Sequence, residues 1–148
     1  MIAVVQRVIN SSVEVEGKIV NKISNGLLIF LGVKKGDCKT NAEYLAKKVV
    51  NLRIFSDNND KMNLSVKDVK GELLVISQFT LCTDNSKSGN RPSFIFAEEP
   101  QKANELYEYF INNLKDEYNS DKVYSGIFSA YMKINILNDG PVTILLEK

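Results

Sequence analysis

The sequence predicts an α/β domain of mixed, largely antiparallel sheets with two main helices. Three observations carry this expectation. At least seven stretches are short apolar or alternating runs bounded by turn residues, the mark of strands. Only two stretches carry an apolar stripe at helical spacing. Short turns join most of the strands, which favours antiparallel or mixed pairing over repeated βαβ crossovers. A chain of 148 residues has the length of one domain and can bury a proper core.

The elements follow in order. Ile2–Val8 reads as a nearly continuous apolar strand interrupted by Gln6 and Arg7. Val13–Val15 and Lys18–Val20 flank Glu16-Gly17, a short hairpin in which Gly supplies a positive φ. Asn25-Gly26 is a turn that leads into Leu27–Val33, a central strand apolar on both faces. After the Lys34–Asp37 loop, Thr40 and Glu43 fit a capping box, and Ala42, Leu45, Ala46 and Val49 predict a helix at about residues 41–51. Leu52–Phe55 returns to extended character, and Ser56–Asp60 is a polar turn cluster. That cluster lacks the Gly and terminal Glu of a calcium loop, so it reads as a solvated hairpin tip. Lys61–Lys70 is polar and irregular.

A strand is expected from Gly71 to about Cys82, then a loop over Asp84–Asn90 that ends at Arg91-Pro92-Ser93-Phe94. Pro there forbids a central-strand role. Glu98-Glu99-Pro100 opens a second helix at about residues 99–118, with Ala103, Leu106, Tyr107, Phe110 and Leu114 as its buried stripe. Val123–Gly126 and Lys133–Leu137 are strands, Asn138–Pro141 is a turn, and Val142–Leu146 is the last strand.

Composition narrows the chemistry. Hydrophobic content of 44%, charged content of 25% and a net charge of +1 are those of an ordinary globular protein with no basic or acidic tail. The N-terminus lacks a signal-peptide pattern, and no apolar run approaches membrane-spanning length. Cys38 and Cys82 form no CxxC pair. A reduced, cytoplasmic location without membrane attachment is the expectation. The chain contains no histidine, which excludes Ser-His-Asp triads, Cys-His dyads and His-ligated metals. No metal and no cofactor is called for.

Four places are candidates for function. Ser77-Gln78-Phe79-Thr80 ends an apolar run with two hydroxyls, an amide and a ring. It is either a strand end whose hydroxyls bond nearby backbone or a rigidly presented site. A hydroxyl nucleophile needs a base. Asp84 and Lys87 are the nearest in sequence. An oxyanion-binding role, with backbone N–H groups and Gln78, needs no base. Asn138–Thr143 is either a hairpin turn or a segment whose Gly and Pro approach a ligand. The Lys87–Phe94 loop is either solvated or suited to a phosphate and a stacked base. Cys82 reads as a small core hydrophobe.

Together these segments resemble the D-aminoacyl-tRNA deacylase family nearly end to end. The resemblance lies in Ala3–Val8, Gly26–Leu28, Leu31–Val33, Lys48–Phe55 and Lys61–Asn63. It continues in Ser77-Gln78-Phe79-Thr80-Leu81, Arg91–Phe94, Gly126-x-Phe128-x-Ala130-x-Met132 and Asn138-Asp139-Gly140-Pro141-Val142-Thr143. It implies a layered domain that works as a homodimer with a cross-subunit active site. Ser77, Gln78, Phe79 and Thr80 would line a pocket for the 3′-terminal aminoacyl-adenosine of aminoacyl-tRNA. Gly140-Pro141, with a cis bond, would reach in from the partner subunit, bind the α-amino group and reject L-amino acids. Phe128, Met132 and Arg7 would lie near the pocket.

The expected reaction is hydrolysis of the D-aminoacyl ester, with mischarged glycine also released. An aminoacyl ester is already activated, so orientation by the protein and the tRNA's own 2′-hydroxyl would suffice. A Thr80 acyl-enzyme is the older alternative for the family, and a non-catalytic binding module for tRNA 3′ ends is the alternative function. The Cys82–Asn90 loop is a residue longer than the family's common form and has fewer basic residues.

Overall fold

The computed structural model describes residues 1–84 and 89–148. Lys87 and the middle of the expected Asp84–Asn90 loop lie outside the described residues. The strands are β1 (Ile2–Val15), β2 (Lys18–Ile23), β3 (Gly26–Gly32), β4 (Phe55–Ser56), β5 (Met62–Leu64), β6 (Glu72–Ser77), β7 (Val123–Ser125) and β8 (Lys133–Glu147). The helices are α1 (Lys39–Val50) and α2 (Pro100–Glu117), and Phe79–Cys82 and Ser120–Lys122 are single 3₁₀ turns.

The main sheet is mixed. β1 pairs antiparallel with β3 over residues 2–8 and with β2 over residues 11–15, while β8 runs antiparallel along its other edge. β3, β6 and β7 are parallel neighbours, joined by crossovers that contain α1 and α2. β4 and β5 form a separate small hairpin, whose tip is tied by Asp57 Oδ1 accepting from the N–H groups of Asn59 and Lys61.

β3 shows why a run of seven residues reads as apolar on both faces. Side chains alternate across a strand. Leu27, Ile29 and Leu31 join Ala3, Val5, Leu73 and Val75 beneath the two helices. Leu28 turns to the opposite face with Val8, Leu74 and Ile76. The apolar stripes of α1 and α2 complete the first layer, with Leu45, Val49, Leu106, Tyr107 and Phe110 fully or almost fully buried.

Local expectations needed five corrections. Met62–Leu64, in the stretch expected to be irregular, is strand β5, because its backbone pairs with β4. β1 is one strand of 14 residues, because β8 pairs with it on both sides of two register shifts, at Arg7 and at Ile9. α1 starts at Lys39 with Cys38 as its N-cap, and Asn41 Oδ1, not Glu43, accepts the Cys38 N–H at 3.0 Å. Glu43 instead accepts the Tyr109 hydroxyl. The strand expected to reach Cys82 ends at Ser77, where β6 loses its partners: its last pair with β3 is Leu31–Ser77, and its last pair with β7 is Val75–Ser125. The chain then folds into the Phe79–Cys82 turn.

The fifth correction concerns Asn138–Pro141, which is not a hairpin turn. Both halves of β8 pair with β1, so the chain does not reverse. Gln6 and Val8 are separated by Arg7 alone, while their partners Thr143 and Asn138 are separated by residues 139–142. Those four residues form a large bulge. Asn138 closes it, donating to the Val142 carbonyl (3.2 Å) and accepting the Val142 N–H (3.1 Å). The Gly140–Pro141 peptide bond is cis.

Candidate active site

A cavity of about 620 Å³ opens where β3 and β6 end. Leu31 and Ile76 come from those strands, and Val33 from just beyond β3. Ala103 and Tyr107 come from the first turns of α2, and Phe128 and Met132 from the segment between β7 and β8. Ser77, Gln78 and Phe79 edge it on one side, Glu98 and Glu99 on another. The walls are mostly apolar with a few polar groups at the rim, as a small-molecule site requires.

Several contacts make the walls rigid. The buried Tyr107 hydroxyl donates to the Val75 carbonyl at 2.9 Å, and the Gly126 N–H donates to the same oxygen at 2.9 Å. One acceptor thus ties α2, β6 and the start of the Phe128 segment together. The Tyr107 and Phe128 rings pack with centroids 5.7 Å apart. Burial pushes the Tyr107 pKa up, so the phenol stays a neutral donor throughout the working pH range. At the mouth, Phe79 meets Phe94 edge to face with centroids 5.1 Å apart. Lys102 Nζ lies 2.6 Å from Glu98, and this bond holds the Glu98 carboxyl below the usual carboxylate range.

The expected residues fall into two groups. Ser77, Gln78, Phe79, Phe128 and Met132 line the cavity. Thr80 is adjacent in the turn, where its hydroxyl accepts from the Gln78 amide and its carbonyl accepts from the Thr83 hydroxyl. An amide is no base, so this contact does not activate Thr80. Arg7, Gly140 and Pro141 form the second group, away from the cavity lining of the same chain. Arg7 Nε lies 2.9 Å from Asp139 Oδ2, and Arg7 Nη1 donates to the Ile54 carbonyl at 2.6 Å. Gly140 and Pro141 are exposed beside this anchor.

Other candidates resolve simply. Cys82 is buried, its thiol donates to the Val33 carbonyl, and burial pushes its pKa up, as an inert core cysteine requires. Asp84 is buried and donates its N–H to the Ser93 carbonyl. Among the described residues no cluster of three or more Cys, Asp and Glu is arranged to hold a metal. In the sequence Tyr107 is one member of a buried helix stripe. Nothing in its spacing distinguishes a wall of the cavity from ordinary core, whereas its hydroxyl on a helix otherwise lined with Leu and Phe was the available signal.

Comparison with known proteins places this arrangement. The family model described as D-Tyr-tRNA(Tyr) deacylase matches residues 4–147. The D-aminoacyl-tRNA deacylase of Thermosipho melanesiensis is 55% identical over 147 residues, which are 99% of this chain and 97% of that protein. A solved structure titled c-Myc DNA Unwinding Element Binding Protein is 40% identical, with a TM-score of 0.94 over 100% of this chain and 99% of that one. A second, titled as a probable eukaryotic D-amino acid tRNA deacylase, shares the fold at a TM-score of 0.80 with 14% identity, covering 98% of this chain and 97% of that one. The chain belongs to the D-Tyr-tRNA(Tyr) deacylase family.

Proposed function

We propose that this protein hydrolyses the ester bond of D-aminoacyl-tRNA, releasing the free D-amino acid and the tRNA. The observation that carries the reading is a preformed, mostly apolar cavity edged by Ser77, Gln78 and Phe79, in a chain that matches the family over residues 4–147. The cavity receives the 3′-terminal aminoacyl-adenosine. Its apolar walls hold the terminal group, and the polar rim orients the ester.

The chemistry needs little from side chains. The ester is activated, so fixing its geometry beside a nucleophile supplies most of the acceleration. Without histidine, the attacking water is best activated from the substrate side, by the tRNA's terminal 2′-hydroxyl, and the ribose 3′-oxygen leaves with a proton. The first N–H groups of a helical turn have no partner within the turn. Those of Phe79 and Thr80 lie just beyond Ser77 and Gln78 and are suited to the developing oxyanion. Thr80 orients its neighbours and does not form an acyl-enzyme.

Selection against L-amino acids comes from a second copy of the chain. Gly140 and Pro141 are exposed and lie outside their own chain's cavity. β8 is a long edge strand with Leu137 and Leu145 exposed at 49% and 65%, a surface suited to a partner. In the homodimer each bulge enters the other subunit's pocket and meets the α-amino group and the chiral centre. Glycine, which has no side chain to reject, is also released. A substrate of this kind places the protein in the cytoplasm, and no helix of the described residues is long and apolar enough to cross a membrane.

Subunit mixing tests this reading. Phe128→Ala spoils the pocket and Pro141→Ala spoils the bulge, so each homodimer is expected to release D-tyrosine from tRNA poorly. Random mixing restores one intact site in each heterodimer, about a quarter of wild-type activity. Absence of recovery in verified heterodimers contradicts the cross-subunit site. Tight tRNA binding without ester turnover by the wild type supports the binding-module alternative instead.

A further inference from the structure

We propose that Gly126 is a positioning residue for the pocket: the space left by its missing side chain seats the Met132 thioether and so sets the wall beside Ser77. Gly126 follows β7, and its N–H is fixed on the Val75 carbonyl at 2.9 Å. Its φ is not positive, so the backbone conformation does not demand glycine. The surroundings do. A Cβ built on Gly126 would lie 2.6 Å from Met132 Sδ and 3.0 Å from Ile76 Cδ1. Non-bonded contacts settle near 3.5–4.0 Å, so a methyl group at this position displaces Met132 by roughly 1 Å.

The direction of that displacement is set by burial. Ile76 also lines the cavity, but it is 1% exposed, β-branched and packed into the second core layer, so it yields less readily than Met132. Met132 is half-buried, flexible and already part of the cavity wall. Its free side is the cavity. Ile76 also precedes Ser77 directly, so pressure on it reaches the residue that edges the site. Glycine at position 126 therefore keeps Met132 out of the volume the substrate needs.

The test combines spectroscopy with kinetics. The chain has three methionines, Met1, Met62 and Met132, so ¹³C-methyl labelling gives a simple spectrum in which Met132→Ala identifies the resonance of interest. In Gly126→Ala the Met132 ε-methyl signal moves while those of Met1 and Met62 stay. With D-tyrosyl-tRNA, kcat/KM falls roughly 10- to 100-fold, mainly through KM. In a Met132→Ala background the same Gly126→Ala change costs less than about threefold, because the displaced group is gone. An unmoved Met132 signal in folded Gly126→Ala, or equal losses in both backgrounds, overturns the proposal. If Gly126→Ala is insoluble, a folded double variant sustains the proposal and an insoluble one overturns it. The kinetic arm rests on the deacylase reading and the spectrum does not. A methyl that shifts in Gly126→Ala, while the wild type shows no deacylase activity, defeats that reading and leaves the seating of Met132 standing.

Discussion

Removing the Tyr107 hydroxyl should cost little, and removing its ring should cost much. In Tyr107→Phe the hydrogen bond to the Val75 carbonyl is lost, but that oxygen keeps the Gly126 N–H at 2.9 Å. The Ser125 hydroxyl, the phenol's other neighbour, is only half-buried, so the loss is close to that of one net hydrogen bond, about 1 kcal/mol. For a chain of 148 residues this lowers Tm by about 2–4 °C. In Tyr107→Ala the ring goes too. It is 1% exposed and packs against Phe128, so the residual cavity brings the loss to about 3–5 kcal/mol. Activity should follow the same order, because Phe128 loses its support only in the second variant. Urea denaturation with an unchanged m-value measures both losses. A Tyr107→Phe loss above about 3 kcal/mol, or a Tyr107→Ala loss no larger than that of Tyr107→Phe, refutes the assignment of the ring as the main strut.

Other outcomes follow from the same geometry. Thr80→Ala should retain kcat/KM within about tenfold, whereas loss of a true nucleophile costs on the order of 10⁴-fold or more. Pro141→Ala should lose on the order of 100-fold in kcat/KM through misplaced substrate. A trapped acyl-enzyme in the wild type, with activity abolished in Thr80→Ala, would reverse that ranking. The cysteines should separate by pH. A hydrogen bond with Thr40 lowers the pKa of the exposed Cys38 thiol, while burial raises that of Cys82. Iodoacetamide at neutral pH should therefore alkylate Cys38 alone in the native protein, with Cys82 modified only after denaturation. Rapid native labelling at Cys82, read by mass spectrometry, contradicts its burial.

Much of the fold was legible because local pattern and tertiary role agree. The alternation of Leu27–Leu31 serves two core layers, and the Ala103–Leu114 stripe serves one. Glu16-Gly17 lies at a true β-turn between β1 and β2. What was not legible depends on partners far away in sequence. Asn138–Pro141 has hairpin composition, and only pairing of both flanks with β1 makes it a bulge. Ser77 ends its strand because β3 and β7 end beside it, which no property of Gln78 or Phe79 announces. The Cys38 cap has no sequence signature because sulfur is a poor capping acceptor, and Asn41 Oδ1 supplies the reciprocal bond by accepting the Cys38 N–H. In the site, the Ser77–Phe79 and Phe128–Met132 segments stood out as motifs, and folding brings both to one cavity. The separation of Gly140-Pro141 from that cavity is visible only in three dimensions, as is the place of Gly126 behind Met132.

Chiral discrimination is the most direct measure of the account. Deacylation of D-tyrosyl-tRNA and L-tyrosyl-tRNA, charged on the same tRNA and assayed at the same enzyme concentration, yields the ratio of the two kcat/KM values. The cross-subunit pocket should give a ratio of at least about 100 in favour of the D-ester, which corresponds to about 2.7 kcal/mol of transition-state discrimination at one stereocentre. Equal rates on the two esters contradict it.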